Sequence, residues 1–592
     1  MKRVLHQLVE RLRAGCPPPD QWVDVPAPWT PVLLLAAILP LGLSGPIRAV
    51  TALPLPLSLG LALVIYAAMV RAVWPWLRGC GGRLRSPWAW GLEGAVLLPV
   101  GFAIWALYVR DFGGFPNLDG WDGGTHVLVK DQFAAIAPAI YHGQVAYHAF
   151  VWWLEKIFRV DSFRSFTVAF YVTVTAVVAL PIGIAGTVVR AESAASRAAL
   201  ITGIVATGLG MVGVLWLTVL PLLHYNQAAG YYVHVFGLVP LVGLWAADAL
   251  IRLQRLRVVA LLGGLVLLRY TYSLNLADAA LAVAFVLLVE GFRGRWRVVQ
   301  GLAVAGLVMA ACLVIRELRT VLHVWGGMQR FDVDKLLSAD LRVIGLGSVY
   351  LLMGAWKRLP LEWLRSPLAR ALRFPLGFAL ASSVLVSILR KGKGVQYYYV
   401  TKYQVWACIL LAFVVVILLA HLAVVLARGT WLRRPSVWLR LVVVGALLAT
   451  APAMWLRTFA GYRTTLHERM RPHGPTYKYL LALADVEALA RIRTILSAEH
   501  KQFGGYLTAF FPRFSFMNAA LGHHAGRQEF FPPATQPGYC VFWVTPERDI
   551  HRLGPARDLD ALRSLVATPG SACAEYPVPW KATPQSLCHR CY

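Results

Sequence analysis

Long apolar runs, each closed by a short arginine-bearing segment, repeat from residue 30 to residue 456. A helix needs roughly 20 consecutive apolar residues to cross the hydrocarbon core of a bilayer. Such runs lie near 30–46, 53–73, 90–109, 165–189, 198–220, 235–251, 257–269, 272–290, 298–315, 341–356, 374–390, 403–427 and 437–456. They amount to about 11–13 transmembrane helices, depending on whether 269–272 is a hairpin tip or a kink within one helix. The chain of 592 residues is 58% hydrophobic and only 15% charged, which is too little charge for a soluble domain of this size. The expected fold is mainly α: a polytopic helical membrane protein.

The charges test that reading. With the N-terminus inside, the cytoplasmic connections hold Arg71, Arg78, Arg83 and Arg85, then Arg190 and Arg197, then Arg252, Arg255 and Arg257. Further on come Arg293, Arg295 and Arg297, then Lys357, Arg358, Arg365, Arg370 and Arg373, then Arg428, Arg433, Arg434 and Arg440. Every one of these connections is basic, as the positive-inside rule requires. The same rule accounts for the net charge of +28, which in a soluble protein would point to nucleic acid. No nucleic-acid partner is expected; the partner is the bilayer. Residues 1–28 read as a cytoplasmic segment, 29–456 as the membrane domain, and 457–592 as an extracytoplasmic domain. The basic, amphipathic stretch 2–16 and the prolines at 17–19 argue against a cleavable leader.

Two outward-facing segments carry chemistry. The external loop 110–164 contains NLDGWDGGTHVLVKDQF at 117–133, with Asp119, Asp122 and His126 in close spacing. An acid there can serve as a general base, hold a divalent metal such as Mg or Mn, or cap the helix that follows. The stretch 127–158 is expected to form helices along the membrane interface. The second segment, RKGKGVQYYYVTKY at 390–403, breaks the charge rule: Arg390, Lys391, Lys393 and Lys402 lie outside with no acid among them. Charge-assisted hydrogen bonds to an anionic ligand would explain them, as would snorkelling beside lipid phosphate. Tyr397, Tyr398 and Tyr399 suit a sugar or a prenyl-phosphate head. The chain has no GxSxG nucleophile elbow, no P-loop and no dinucleotide fingerprint, so a serine hydrolase and a nucleotide-driven machine find no support.

With its LDGWDGGTH loop, its many spans and its long external tail, the chain resembles the GT-C-type glycosyltransferases. YNQAAGYYVHVFGLVPLVGLWAADAL at 225–250 is similar to a loop and span of their actinobacterial arabinofuranosyl- and mannosyltransferase members. QYYYVTK at 396–402 resembles a tyrosine-rich stretch near the lipid-phosphate site in several of those families. The resemblance implies inverting transfer of a sugar from a polyprenyl-phosphate donor to a cell-envelope glycan, lipid or protein acceptor, on the outer face of the plasma membrane. It makes Asp122 the base, with Asp119 as alternate and His126 orienting the acid or the acceptor. It makes Arg390, Lys391, Lys393 and Lys402 the holders of donor phosphate and Tyr397 to Tyr399 the contacts to sugar or isoprenoid. The chain departs from the pattern in two ways: the acidic loop follows the third expected span, and its acids are spaced DxxD. A transporter or flippase of lipid-linked sugars, or a non-catalytic envelope-assembly protein, would share the spans and cations without needing an external carboxylate.

Other polar groups fall near the expected cavity: His224, Asn226 and His234 in or beside the uncharged loop 221–234, and Arg269, Asn275 and Asp278 near a helix end. Arg269 and Asp278 are placed to pair with each other or to line a ligand site. The tail is expected to form a small mixed α/β domain with a helix over 477–500 and a strand at 540–545. Cys540, Cys573, Cys588 and Cys591 lie in this extracytoplasmic tail, where disulfides form; the last two make a CxxC that also suits zinc or redox chemistry.

Overall fold

The computed structural model describes residues 29–81, 145–193, 196–223, 232–290, 333–355, 366–390, 397–428 and 437–449, apart from isolated gaps. Lys130 and short pieces within 301–312, 542–544 and 550–552 complete the set. Its helices are α1 Trp29–Thr51, α2 Leu55–Gly81, α3 Val145–Phe158, α4 Ser162–Ser193, α5 Arg197–Val214, α6 Tyr232–Leu250, α7 Gln254–Thr271 and α8 Leu276–Glu290. They continue with α9 Val333–Ala355, α10 Pro367–Arg390 and α11 Tyr397–Ala427, and then α12, the apolar helix Val437–Ala449.

Five of the described helices are long and apolar enough to cross a membrane, or six if α1 and α2, bent by 116° at their junction, count as one broken span. The protein is therefore a helical membrane protein. Fewer helices meet that test than the hydropathy runs suggest, for identifiable reasons. The run at 90–109 lies outside the described residues, and half of 298–315 does too. Helix α7 carries Arg255, Arg257 and Arg269 within 18 residues. Helix α9 begins at Val333, earlier than expected, and brings Asp334, Lys335, Asp340 and Arg342 into its first half. The doubtful stretch near 270 is a hairpin: a 3-10 turn at Ser273–Asn275 joins α7 to α8.

Side-chain contacts fix the direction of each helix. Trp245 and the His234 region of α6 meet Phe413 and Trp406 of α11 in matching order, so these two helices run parallel. Phe166 at the start of α4 meets Tyr232 at the start of α6, and Glu192 near the end of α4 lies 3.9 Å from Arg428 after α11. Asp340 and Tyr350 of α9 pair in order with Cys408 and His421 of α11. Helices α5 and α10 run the other way. Gly203 of α5 abuts Val424, whereas Gly210, further along α5, abuts Val416. At the start of α10, Arg373 binds Asp248 near the end of α6.

The consequence is a bundle with two unlike ends. Arg190, Arg197, Arg252, Arg257, Arg370, Arg373 and Arg428 gather at one end, the end that the charge rule assigns to the cytoplasm. The starts of α4, α6, α9 and α11, the tip of the α7–α8 hairpin and the end of α10 gather at the other. We call that end the mouth.

Burial separates the interior helices from the perimeter. In α6, 83% of the apolar window is buried, but in α5 only 28%. Ile201, Val205, Leu209 and Val212 of α5, with Trp216 of the π-helical turn Leu215–Val219 that continues it, form an exposed apolar stripe, the surface that a lipid-facing helix presents. Prolines inside α1, α4, α6 and α10 are accommodated, as is common where neighbouring helices cover the freed carbonyls.

Three expectations are not met by the described residues. Helix α3 is buried continuously from Val145 to Val151, so it is packed into the bundle against α1 and α4 rather than lying along an interface. Gly45 of α1 makes this possible, because an added Cβ there would meet the Val145 carbonyl oxygen at 2.4 Å. The tyrosine-rich stretch read as loop belongs to α11, whose helix starts at Tyr397, leaving only 391–396 between it and α10 outside the described residues. The expected C-terminal α/β domain finds no support among the described residues. They contain only an antiparallel pair, β1 Phe542–Val544 with β2 Ile550–Arg552, the first of which falls on the expected strand. The helix over 477–500 and the four tail cysteines lie outside them.

Candidate functional site

Three elements meet just inside the mouth. His234, in the first turn of α6, stacks on Trp406 of α11 with ring centroids 5.1 Å apart and an interplanar angle of 20°. Tyr272, at the tip of the α7–α8 hairpin, packs on His234 at 5.0 Å and on Trp406 at 5.5 Å. The close approach depends on Gly237, one turn into α6: a Cβ there would lie 2.7 Å from the Trp406 ring and 2.9 Å from the Tyr272 Cβ. Trp406 is buried, and among the described residues its indole Nε1 has no hydrogen-bond acceptor. A donor held in this way is available to an oxygen-rich ligand, because a buried N–H left unmatched is costly.

A second aromatic layer joins this cluster to α3. Phe150 stacks on Phe236 at 4.9 Å, Tyr147 packs on Phe236 at 5.3 Å, and Phe166 links Tyr147 to Tyr232. Trp153 donates from Nε1 to the Ser44 hydroxyl of α1 at 3.1 Å. At the end of α3, Glu155 forms ion pairs with the buried Lys130 and, at 2.9 Å, with Lys156, whose ammonium also lies 5.4 Å from the Trp152 ring centre. Burial pushes the Glu155 carboxyl up, but the Lys130 ammonium beside it and the hydrogen bonds from both lysines more than reverse this. The carboxyl is held below its ordinary value.

This arrangement includes the described residues that adjoin both chemistry-bearing stretches in the sequence. Lys130, which follows His126 by four residues and Asp122 by eight in the sequence, is held on the α3 side of the mouth by Glu155. Tyr397, Tyr398, Tyr399 and Lys402 occupy the first turns of α11, and Lys402 precedes Trp406 by one helical turn. Arg390 is the last residue of α10 at the same end. Asp119, Asp122, His126, His224, Asn226, Lys391 and Lys393 lie outside the described residues. Among the described residues no group of three or more His, Cys, Asp or Glu is placed to hold a metal ion.

The expected pairing of Arg269 with Asp278 does not occur. Arg269 is exposed on α7, whereas Asp278 is fully buried in α8 and contacted by Asn275 and Ser382. Sequence reading missed three other buried polar contacts. Arg373 grips Asp248 through Nε at 2.9 Å and 3.1 Å and through its second nitrogen, while Arg370 donates to the Asp248 and Ile251 carbonyls at 3.4 Å and 3.0 Å. Tyr350 and His421 share a 2.7 Å hydrogen bond, and the Cys408 thiol donates to Asp340 at 3.2 Å. A lone acid inside an apolar span was the available signal for Asp248, because such a group is tolerated only with a partner. The Asp248 clamp lies at the arginine-rich end, away from the mouth, and ties α6 to α10.

No protein-family model, no curated protein and no solved structure matches the chain. Fold and site therefore define a class, a helical membrane protein with an aromatic-lined mouth, and no family beyond it.

Proposed function

We propose that the protein is a membrane glycosyltransferase of the GT-C type, which transfers a sugar from a polyprenyl-phosphate donor to a cell-envelope glycan, lipid or protein acceptor. The reaction takes place at the outer face of the plasma membrane. One observation carries this reading: the helix that follows the lysine-rich stretch and the ion pair that follows the acidic stretch open at the same end of the bundle, on either side of a buried aromatic cluster. Inverting sugar transfer needs such convergence, because a base must reach the acceptor hydroxyl while cations stabilise the phosphate that leaves. The DxxD-bearing loop and the QYYYVTK stretch, with their resemblance to GT-C-type enzymes, support the same conclusion.

In the proposed reaction the acceptor oxygen attacks the anomeric carbon from the face opposite the phosphate. Asp122 takes the hydroxyl proton, with Asp119 as the alternate and His126 orienting the acid. The C–O bond to the carrier breaks, and its electron pair leaves on the polyprenyl phosphate. Arg390, Lys391, Lys393 and Lys402 stabilise that charge, and Tyr397, Tyr398 and Tyr399 pack on the sugar or isoprenoid.

The test is transfer by purified protein from a radiolabelled polyprenyl-phosphate sugar to a membrane-extract acceptor. Asp122→Asn should lose about 10²–10⁴ in rate, the usual worth of a general base, while still binding donor. Turnover at the wild-type rate would remove Asp122 from the mechanism. Export of lipid-linked sugar from vesicles without any transfer would favour a transporter instead.

A further inference from the structure

Asp278, in the first turn of α8, is fully buried among alanine, leucine and valine neighbours. Asn275, also fully buried, donates from Nδ2 to Asp278 Oδ2 at 3.3 Å, and the Ser382 hydroxyl of α10 reaches the same carboxylate. The other oxygen of each group is left over: among the described residues neither Asp278 Oδ1 nor Asn275 Oδ1 has a hydrogen-bond partner. Buried oxygens without partners are uncommon and ask for an explanation. These two belong to planar groups that already touch, and one positive charge placed between them would satisfy both.

Among the described residues the surroundings supply no such charge. Helix α7 offers Tyr270, Tyr272 and the exposed Arg269, and α10 offers Ser382 and Ser383. His234 of α6 stands behind Tyr272, and no charged side chain among the described residues acts on the carboxylate. Asn275 closes the 3-10 turn Ser273–Asn275 at the tip of the α7–α8 hairpin, so the pair lies where the chain reverses direction.

From these contacts we propose that Asp278, Asn275 and Ser382 form a binding site for one monovalent cation, either a proton or sodium. A proton joining Asp278 Oδ1 to Asn275 Oδ1 closes a cyclic acid–amide pair with the existing Nδ2 bond. Sodium would sit between the same two oxygens and the serine hydroxyl. One formal negative charge and three side-chain oxygens are too few for magnesium or calcium.

The experiment follows the apparent melting temperature of the full chain in detergent between about pH 5 and about pH 9, in choline chloride and in sodium chloride. If the folded chain holds a proton that the unfolded chain releases, stability falls as pH rises, because the unfolded state then binds fewer protons. If it holds sodium, sodium chloride raises the melting temperature at the alkaline end and choline chloride does not. Asp278→Asn supplies a neutral amide in place of the carboxyl and should remove the corresponding dependence, so the difference between wild type and variant is the readout. Should that variant fail to fold, an infrared difference spectrum of the wild type is the second measurement. A protonated carboxyl gives a deuterium-sensitive C=O band, and bound sodium gives carboxylate bands that change when sodium is added. A wild type with neither spectral feature, or one that matches Asp278→Asn under all conditions, would overturn the site.

Discussion

Gly237→Ala probes the packing on which the mouth depends. The added methyl would lie 2.7 Å from two atoms of the Trp406 ring and 2.9 Å from the Tyr272 Cβ. Neither neighbour can yield cheaply. The ring is buried and stacked on His234, and the Tyr272 Cβ is bonded directly to backbone. Forcing an extra methyl into a packed core costs about 1–3 kcal/mol, while alanine in place of glycine inside a helix returns about 0.5–1 kcal/mol. The net expectation is a loss of about 1–2 kcal/mol. Gly243→Ala on the same helix is the matched control, because no described atom lies within 4 Å of its Cβ position; it should hold or raise stability by the propensity term alone. Both variants are compared by fluorescence-detected thermal unfolding in detergent, with donor binding measured at a temperature where each remains folded. Gly237→Ala should melt lower than wild type and bind donor more weakly, while Gly243→Ala should do neither. Equal melting temperatures for the two alanine variants would refute the packing argument.

Other substitutions read other parts of the account. Asp248→Asn leaves Arg373 buried without its carboxylate and should cost about 3–5 kcal/mol, seen as lost expression and a lower melting temperature; an apolar replacement of both residues together should cost less. Glu155 is held below its ordinary carboxyl value, so its ion pair contributes full stability above the unfolded value of about 4.3 and loses it as pH falls through the lower folded value. Wild type should therefore lose more stability than Glu155→Gln on acidification below that point, and parallel melting curves would speak against the ion pair. Replacing Lys391 and Lys393 together by alanine should raise the donor KM with a smaller effect on kcat, and unchanged donor binding would assign these lysines to lipid contact.

Much of the bundle is legible in the chain because two simple signals agree. The apolar run 235–251 and the helix Tyr232–Leu250 differ by only a few residues, and the arginines at 190–197, 252–257 and 370–373 fall at one end of the bundle. Hydropathy fails where polar residues enter helices. Tyr397 to Lys402 look like a loop by composition, yet the glycines that interrupt helix stop at Gly394, and nothing after that opposes helix. Arg370 and Arg373 read as loop charges, although they are buried on α10 as partners of an acid 122 to 125 residues earlier. A contact of that range leaves no mark in local periodicity. The aromatic cluster was half visible: His234 was expected near the cavity, but Trp406 and Tyr272 were indistinguishable from the other tryptophans and tyrosines, of which the chain has 22 each, spread along its interfaces.

Directional thiol labelling tests most directly whether the acidic and the lysine-rich stretches share an outer mouth. In a background with the native cysteines replaced, Asp122→Cys, Lys391→Cys and Arg252→Cys are exposed in turn to a membrane-impermeant maleimide on intact cells. The first two should label in intact cells, and Arg252→Cys, at the arginine-rich end of the bundle, only after lysis. Labelling of Asp122→Cys and Lys391→Cys from opposite sides of the membrane would contradict the proposed site, since no single donor could then meet both.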